Sequence, residues 1–166
     1  MGWMRNRAVC LALSLWVAAL PPTLAQEQRD HNEIVRVPQE DQDMQAAIAQ
    51  AQASLDDFLK VWKQRPANTS NFKLKVKVTE GDATEHFWVQ PFREDGKGFA
   101  GRLANEPKLV HNVKNGQMIR FSREEISDWG YVKEGHQVGS FTVCALFKIA
   151  PKEQVEYYRK NFGFDC

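Results

Sequence analysis

Only three cysteines occur in the 166 residues, and no two of them lie close enough to form half of a zinc site. The four histidines, His31, His86, His111 and His136, are scattered with no pair at ligand spacing, so no metal is expected. The chain has no glycine-rich phosphate loop, no Gly-x-Ser-x-Gly elbow and no His-Glu-x-x-His helix motif. It therefore meets none of the common enzyme signatures and implies no cofactor. Charge of one sign is missing too: 22 Lys and Arg stand against 21 Asp and Glu. Nucleic-acid partners call for a concentrated basic face, and none is expected from this balance. No apolar run exceeds the thirteen residues of 8–20, short of the roughly 20 that cross a bilayer. Internal repeats and low-complexity tracts are absent.

That apolar run has a job of its own. Arg5 and Arg7 precede it, and Thr23-Leu24-Ala25 follows with small residues at the −3 and −1 positions of a cleavage site. The pattern is a secretory signal over residues 1–25. The expectation is an exported chain, periplasmic or secreted, starting near Gln26 and keeping no membrane span. Removing residues 1–25 deletes two arginines and no acid, which leaves 20 basic against 21 acidic residues. Residues 26–38 read as a flexible lead-in, and residues 39–166 as one domain.

Cys144 and Cys166 survive cleavage. An even pair in an oxidising compartment forms a disulfide as a rule. Closing a loop of about 23 residues would contribute on the order of 3 kcal/mol in the chain-entropy model. A nucleophilic cysteine is the competing reading, but no base partner lies nearby in sequence.

Taken in order, residues 39–64 place Met44, Ile48, Ala51, Leu55, Phe58, Leu59 and Trp62 on one apolar stripe. The spacing predicts one helix of about 24 residues, roughly 36 Å long, ended by Pro66. Phe72, Leu74, Val76 and Val78 alternate with Lys73, Lys75, Lys77 and Thr79, a strand with one buried face and one lysine row. Anion binding along that row competes with the plainer reading of a solvated face. Gly81-Asp82 turns into a strand over residues 84–92, and the glycine-bearing turn 94–98 leads to a strand over 99–103. Short strands are expected at 109–113, 118–121 and 126–132. Residues 141–149 are continuously apolar and fit strand or helix, with helix favoured by Ser140 or Thr142 as a cap. Residues 151–162 read as a helix opened by Pro151 and closed by Gly163. The fold class is α+β: a long N-terminal helix packed on a curved, mostly antiparallel sheet, with closing C-terminal helices.

Two stretches carry the candidate chemistry. Thr84–Phe92, TEHFWVQPF, supplies Glu85, His86 and Trp88, and ISDWGY at 126–131 supplies Asp128, Trp129 and Tyr131. Strand alternation puts His86 and Trp88 on one face and Glu85 on the other. A base histidine needs a carboxylate to orient it, and Asp128 qualifies only if the two strands are neighbours. Glu85 with Asp128 is the one pair a glycosidase could use. Aromatic side chains beside an acid also suit a sugar platform. The plainer reading is core packing, with Asp128 bonded to backbone amides at a turn.

The motifs Leu55-Asp56-Asp57-Phe58, Glu85-His86-Phe87-Trp88-Val89, Asn105-Glu106-Pro107, Ile126-Ser127-Asp128-Trp129-x-Tyr131, Gly139-x-Phe141-Thr142 and the Phe162–Cys166 ending (FGFDC) together resemble the small bacterial YegJ-like proteins, a domain of unknown function. The likeness covers most of residues 44–166 and implies a bacterial source without an activity. The Asp128-Trp129 segment is also similar to immunity-type domains that neutralise toxins, a fold-level analogy. The functional expectation is an exported, non-enzymatic interaction module for a partner protein or envelope ligand, of which an immunity-type inhibitor is one form. The competing expectation is a cell-envelope glycan-binding protein or hydrolase.

Overall fold

A computed structural model describes residues 41–166; the expected signal over 1–25 and the expected lead-in 26–38 lie outside them. The order of elements is α1 Gln42–Ala53, α2 Leu55–Gln64, β1 Thr69–Glu80, β2 Ala83–Asp95, β3 Gly98–Leu103, β4 Met118–Phe121, β5 Ile126–Lys133, β6 His136–Gly139, α3 Phe141–Phe147 and α4 Lys152–Phe162. The strands form one sheet in the order β4-β3-β2-β1-β5-β6, and every pairing in it is antiparallel. The class is α+β.

The single long helix is not what forms. The chain bends at Ser54, whose φ and ψ are −103° and 8°. Ser54 Oγ donates to the Gln50 carbonyl at 2.7 Å, a back-bond that bends helices. The neighbouring Ala51 carbonyl accepts from the Trp129 indole N–H at 2.9 Å. Both bonds reward a break, and a helix-period stripe runs through it unaltered. Ala47, Ala51, Leu55, Phe58 and Leu59 are all buried.

The lysine strand behaves as its alternation demands. Leu74 and Val76 are buried and pair with Val89 and Phe87, so β1 and β2 share one apolar face. On that face Phe58 is the hub. Its ring lies 4.9 Å from Trp129 and 6.1 Å from both Phe72 and Phe92. Aromatic pairs at this range add to the burial of their area. A second cluster of Phe87, Leu103 and Val110 extends the core under the loop that joins β3 to β4.

That loop replaces the strand expected at 109–113, which does not form. β2 also runs on past Phe92 to Asp95, and the chain after the 134–135 turn adds the short strand β6. At that turn Glu134 and Gly135 both have positive φ, 54° and 86°. Two left-handed residues give a twist that matches the flanking strands. Residues 141–147 resolve to helix, and Gly163, at φ 71°, caps α4 as its position suggests. The Cys144–Cys166 disulfide ties the chain end to α3, with Cα atoms 5.6 Å apart.

Candidate functional site

Helices α1 and α2 and the β3–β4 loop pack against one face of the sheet, while the first turn of α3 lies beside Asp128 at the β5 end of the other. The other face carries Lys73, Lys75 and Lys77 from β1, and register places Trp88 beside Lys75 and His86 beside Lys77. On the far side of β1, Lys75 pairs with Asp128. β1 therefore separates the two stretches singled out from the sequence, and β2 and β5 are not neighbours. His86 does not meet Asp128. Its Nδ1 lies 2.8 Å from Ser127 Oγ, reached across β1 because Ser127 sits in a bulge between the Val76–Ile126 and Lys75–Asp128 pairs.

Asp128 is fully buried. Its Oδ1 accepts from the Trp129 and Phe141 amides at 2.8 and 3.2 Å. Its Oδ2 accepts from the amide and the hydroxyl of Thr142 at 2.8 and 2.6 Å. Four donors thus converge on one carboxylate, which caps α3 from a different element. Of the two caps suggested by sequence, Ser140 is left-handed at φ 55° and makes no side-chain cap bond, and Thr142 lies inside the helix with its hydroxyl on Asp128. Burial pushes the Asp128 carboxyl above its ordinary range, against the pull of its Thr142 bonds and of Lys75. Lys75 Nζ donates to Thr142 Oγ1 at 2.9 Å, which links the ammonium to the carboxylate through one hydroxyl.

Trp88 is flanked by cations, with Lys73 Nζ 4.5 Å and Lys75 Nζ 5.5 Å from its ring centroid. Burial lowers the pKa of both lysines; Asp128 opposes this in each case. His86 is lowered to about 4, first by enclosure of part of the ring and then by Lys75 and Lys77. It is neutral at pH 7.

Glu85 lies on the opposite, covered face and is buried. It accepts from the Lys108, Leu109 and Val110 amides at 3.0, 2.8 and 3.3 Å and so fastens the β3–β4 loop. Trp129 and Tyr131 are core residues, stacked with Phe58 and Phe72 respectively. Of the six candidate site residues, only His86 and Trp88 reach the open face with accessible surface. Sequence alone points to the lysine row and Thr142 but not to the contacts of Lys73 and Lys75 with Trp88, of Thr142 with Asp128, or of Ser127 with His86. The uneven spacing of Ile126, Trp129 and Tyr131 was the signal for a bulge, since a regular strand would bury every second residue.

Concavities lie elsewhere on the described residues. One, of about 470 Å³, lies between α1, α3 and the chain end beside Ala47, Phe141, Cys144 and Arg159. Another, of about 290 Å³, lies beside Trp62, Arg65 and Pro91. Neither touches His86, Trp88 or Asp128. No group of three or more metal-ligating side chains gathers among the described residues, and no helix there is long and apolar enough to cross a membrane.

An antiparallel sheet packed on one face by a bent helix pair, with a carboxylate capping α3, defines the class: a small α+β domain. The chain belongs to the family described as "Uncharacterized protein conserved in bacteria (DUF2314)", whose model matches residues 41–166. It is 34% identical over 118 residues to the uncharacterized protein YegJ of Escherichia coli K12, covering 71% of this chain and 76% of that one. It is 28% identical over 140 residues to a Neisseria meningitidis serogroup B protein named "Putative ankyrin repeat protein NMB1133/NMB1171". That match covers 80% of this chain and 55% of the other, so this chain spans about half the length of the Neisseria protein. No solved structure matches significantly.

Proposed function

We propose that the chain is an exported, non-enzymatic interaction module that binds a partner protein or envelope ligand, with an immunity-type inhibitor of a partner as its most specific form. The signal pattern over residues 1–25 supports export to the periplasm or beyond. The observation that carries the rest is how the two candidate acids are used. Glu85 and Asp128 each spend their oxygens on backbone amides, and they do so on opposite faces of the sheet. A glycosidase needs two carboxylates across one cleft, so this arrangement disfavours the hydrolase reading. The sugar-platform reading loses its aromatic surfaces as well, since Trp129 and Tyr131 are buried and Trp88 is faced by lysines. Similarity to a protein named for ankyrin repeats, a repeat class that presents binding surfaces, points the same way.

The test is capture of the tagged, exported chain after reversible cross-linking in intact cells. One partner recovered in amounts comparable to the bait supports the module. Recovery of the chain alone, or turnover of peptidoglycan by the purified chain, refutes it.

A further inference from the structure

The sheet face turned away from α1 and α2, covered by α3 only at its β5 end, is strongly one-signed. Lys73, Lys75, Lys77, Arg93, Arg102 and Arg120 all project from it, by alternation within β1 to β4 and by the pairs Arg93–Ala100 and Ala100–Arg120. Its strand carboxylates are Asp95, held by Arg120 at 2.5 Å, and the buried Asp128. Lys77, Arg93, Arg102 and Arg120 are exposed, while Lys73 and Lys75 are half-buried against Trp88. Six cations, four of them open to solvent, against two acids stand out in a chain whose totals are 22 and 21. The cations also outnumber the partners they have on the face. Lys77 and Arg93 are exposed, and Arg93 lies 3.7 Å from Oδ1 of Asp95, the aspartate whose other oxygen Arg120 holds.

From this we infer that the open face is the docking surface of the module, and that its occupant is a protein presenting an acidic surface. The inference rests on the interaction reading above and supplies its partner chemistry. Four strands at about 4.8 Å spacing separate β1 from β4 by roughly 15 Å, too far for one small anion to bridge. The occupant must carry several negative charges on an extended surface. Stacking of bases or sugars is disfavoured, because the Trp88 face is occupied by two ammonium groups. Met118, 49% exposed, and the half-buried Trp88 add apolar area between the charges. Met, Trp and Arg are the side chains enriched at protein interfaces, which favours an acidic protein over a phosphate polymer. Charge complementarity of this kind acts on association rate and choice of partner.

The experiment titrates the isotopically labelled exported chain with poly-L-glutamate, and separately with polyphosphate at equal charge, following amide and indole N–H signals. Expected are shifts confined to β1–β4 and the Trp88 indole, with binding that weakens as salt rises. The pair K77E/R93E should bind roughly tenfold more weakly at unchanged Tm. Should that pair fold poorly, K77Q/R93Q removes the charge without reversing it and should weaken binding in the same direction. Shifts centred on α4 or the chain end, or no effect of either pair, overturn the assignment. Tighter binding of polyphosphate than of poly-L-glutamate overturns the choice of a protein partner. Cross-linked capture with K77E/R93E as bait separates the two levels. Partner lost with the variant supports this face, partner retained refutes the face alone, and no partner with wild type refutes the module.

Discussion

Replacing Asp128 by Asn tests the central structural claim, that this carboxylate is a fastener between β5 and α3. Asn can keep the Oδ1 bonds to the Trp129 and Phe141 amides, 2.8 and 3.2 Å in the native chain. Its amide nitrogen then faces the Thr142 N–H, donor against donor, and the 2.8 and 2.6 Å bonds at Oδ2 are lost in their present form. Hydrogen bonds to a charged group are worth about 1.5–3 kcal/mol each. Against this, the substitution removes the cost of burying a charge whose pKa is already pushed up by burial. The balance is a loss of about 2–3 kcal/mol for Asp128→Asn, and about 4 kcal/mol for Asp128→Ala, which strands all four donors and leaves Lys75 without a nearby anion. At roughly 3 °C per kcal/mol for a domain of this size, Asp128→Asn lowers Tm by about 8 °C. Urea unfolding followed by tryptophan fluorescence gives the free energy directly. A double-mutant cycle with Thr142→Val, which removes the hydroxyl bond to Oδ2 and keeps the amide one, should show coupling of about 1 kcal/mol or more. An Asp128→Asn protein within about 0.5 kcal/mol of wild type would refute the fastening role.

Glu85 offers a contrasting case on the other face. Glu85→Gln can turn its remaining oxygen to the Leu109 amide and should cost about 1 kcal/mol, whereas Glu85→Ala should cost about 3 kcal/mol and expose the Lys108, Leu109 and Val110 amides to hydrogen exchange; unchanged protection there would contradict the loop anchor. His86 sets a pH dependence. Its folded pKa of about 4 lies below its ordinary value of 6.5, so the unfolded chain takes up the proton first as pH falls. Stability from this group is complete above about pH 6.5 and declines between 6.5 and 4. The shift alone would give roughly 3 kcal/mol, and contact of the ring with water reduces that to about 1 kcal/mol. His86→Gln should flatten this part of the profile, and an identical slope in the variant would show that another group sets it. Replacing Cys144 and Cys166 together by Ser should cost about 3 kcal/mol, given their 22-residue separation, and calorimetry that finds no change would mean the bridge contributes nothing to folding.

What could be read from the sequence divides along the range of the interactions. The lysine strand, the glycine turns and the Pro151–Gly163 frame of α4 are local, and each forms where alternation or capping places it. Alternation alone also separated Glu85 from His86 and Trp88. The failures share a cause: a side chain distant in sequence takes a backbone group. Trp129 takes the Ala51 carbonyl and helps to break what the stripe predicts as one helix. Glu85 takes three amides of a segment whose Leu109 and Val110 look like strand residues. Asp128 caps a helix thirteen and fourteen residues downstream of itself. No period in the sequence encodes such bonds, so residue types alone suggest that Asp128 binds backbone amides but not that those amides belong to α3.

The bulge at Ser127 shows how one residue reconciles the two faces of β5. Counted back from Trp129 in a regular strand, Asp128 would face α3, Ser127 the core and Ile126 the open side. The observed pairs are Val76 with Ile126 and Lys75 with Asp128, so Ser127 is the extra residue, and Ile126 is 1% exposed within the core. The insertion therefore lets Ile126, Trp129 and Tyr131 all join the core while Asp128 still reaches Thr142. Its own hydroxyl is left on the open face, where His86 holds it. Deleting Ser127 should close the bulge into a regular ladder without moving either neighbour to the wrong face, at a cost of about 1–2 kcal/mol for the lost His86 contact and altered twist. Deleting Asp128 instead removes the cap and should cost more than 4 kcal/mol. Urea unfolding of the two deletions decides the matter. If losing Ser127 is as damaging as losing Asp128, the bulge is not the extra residue of this strand but part of what sets its register.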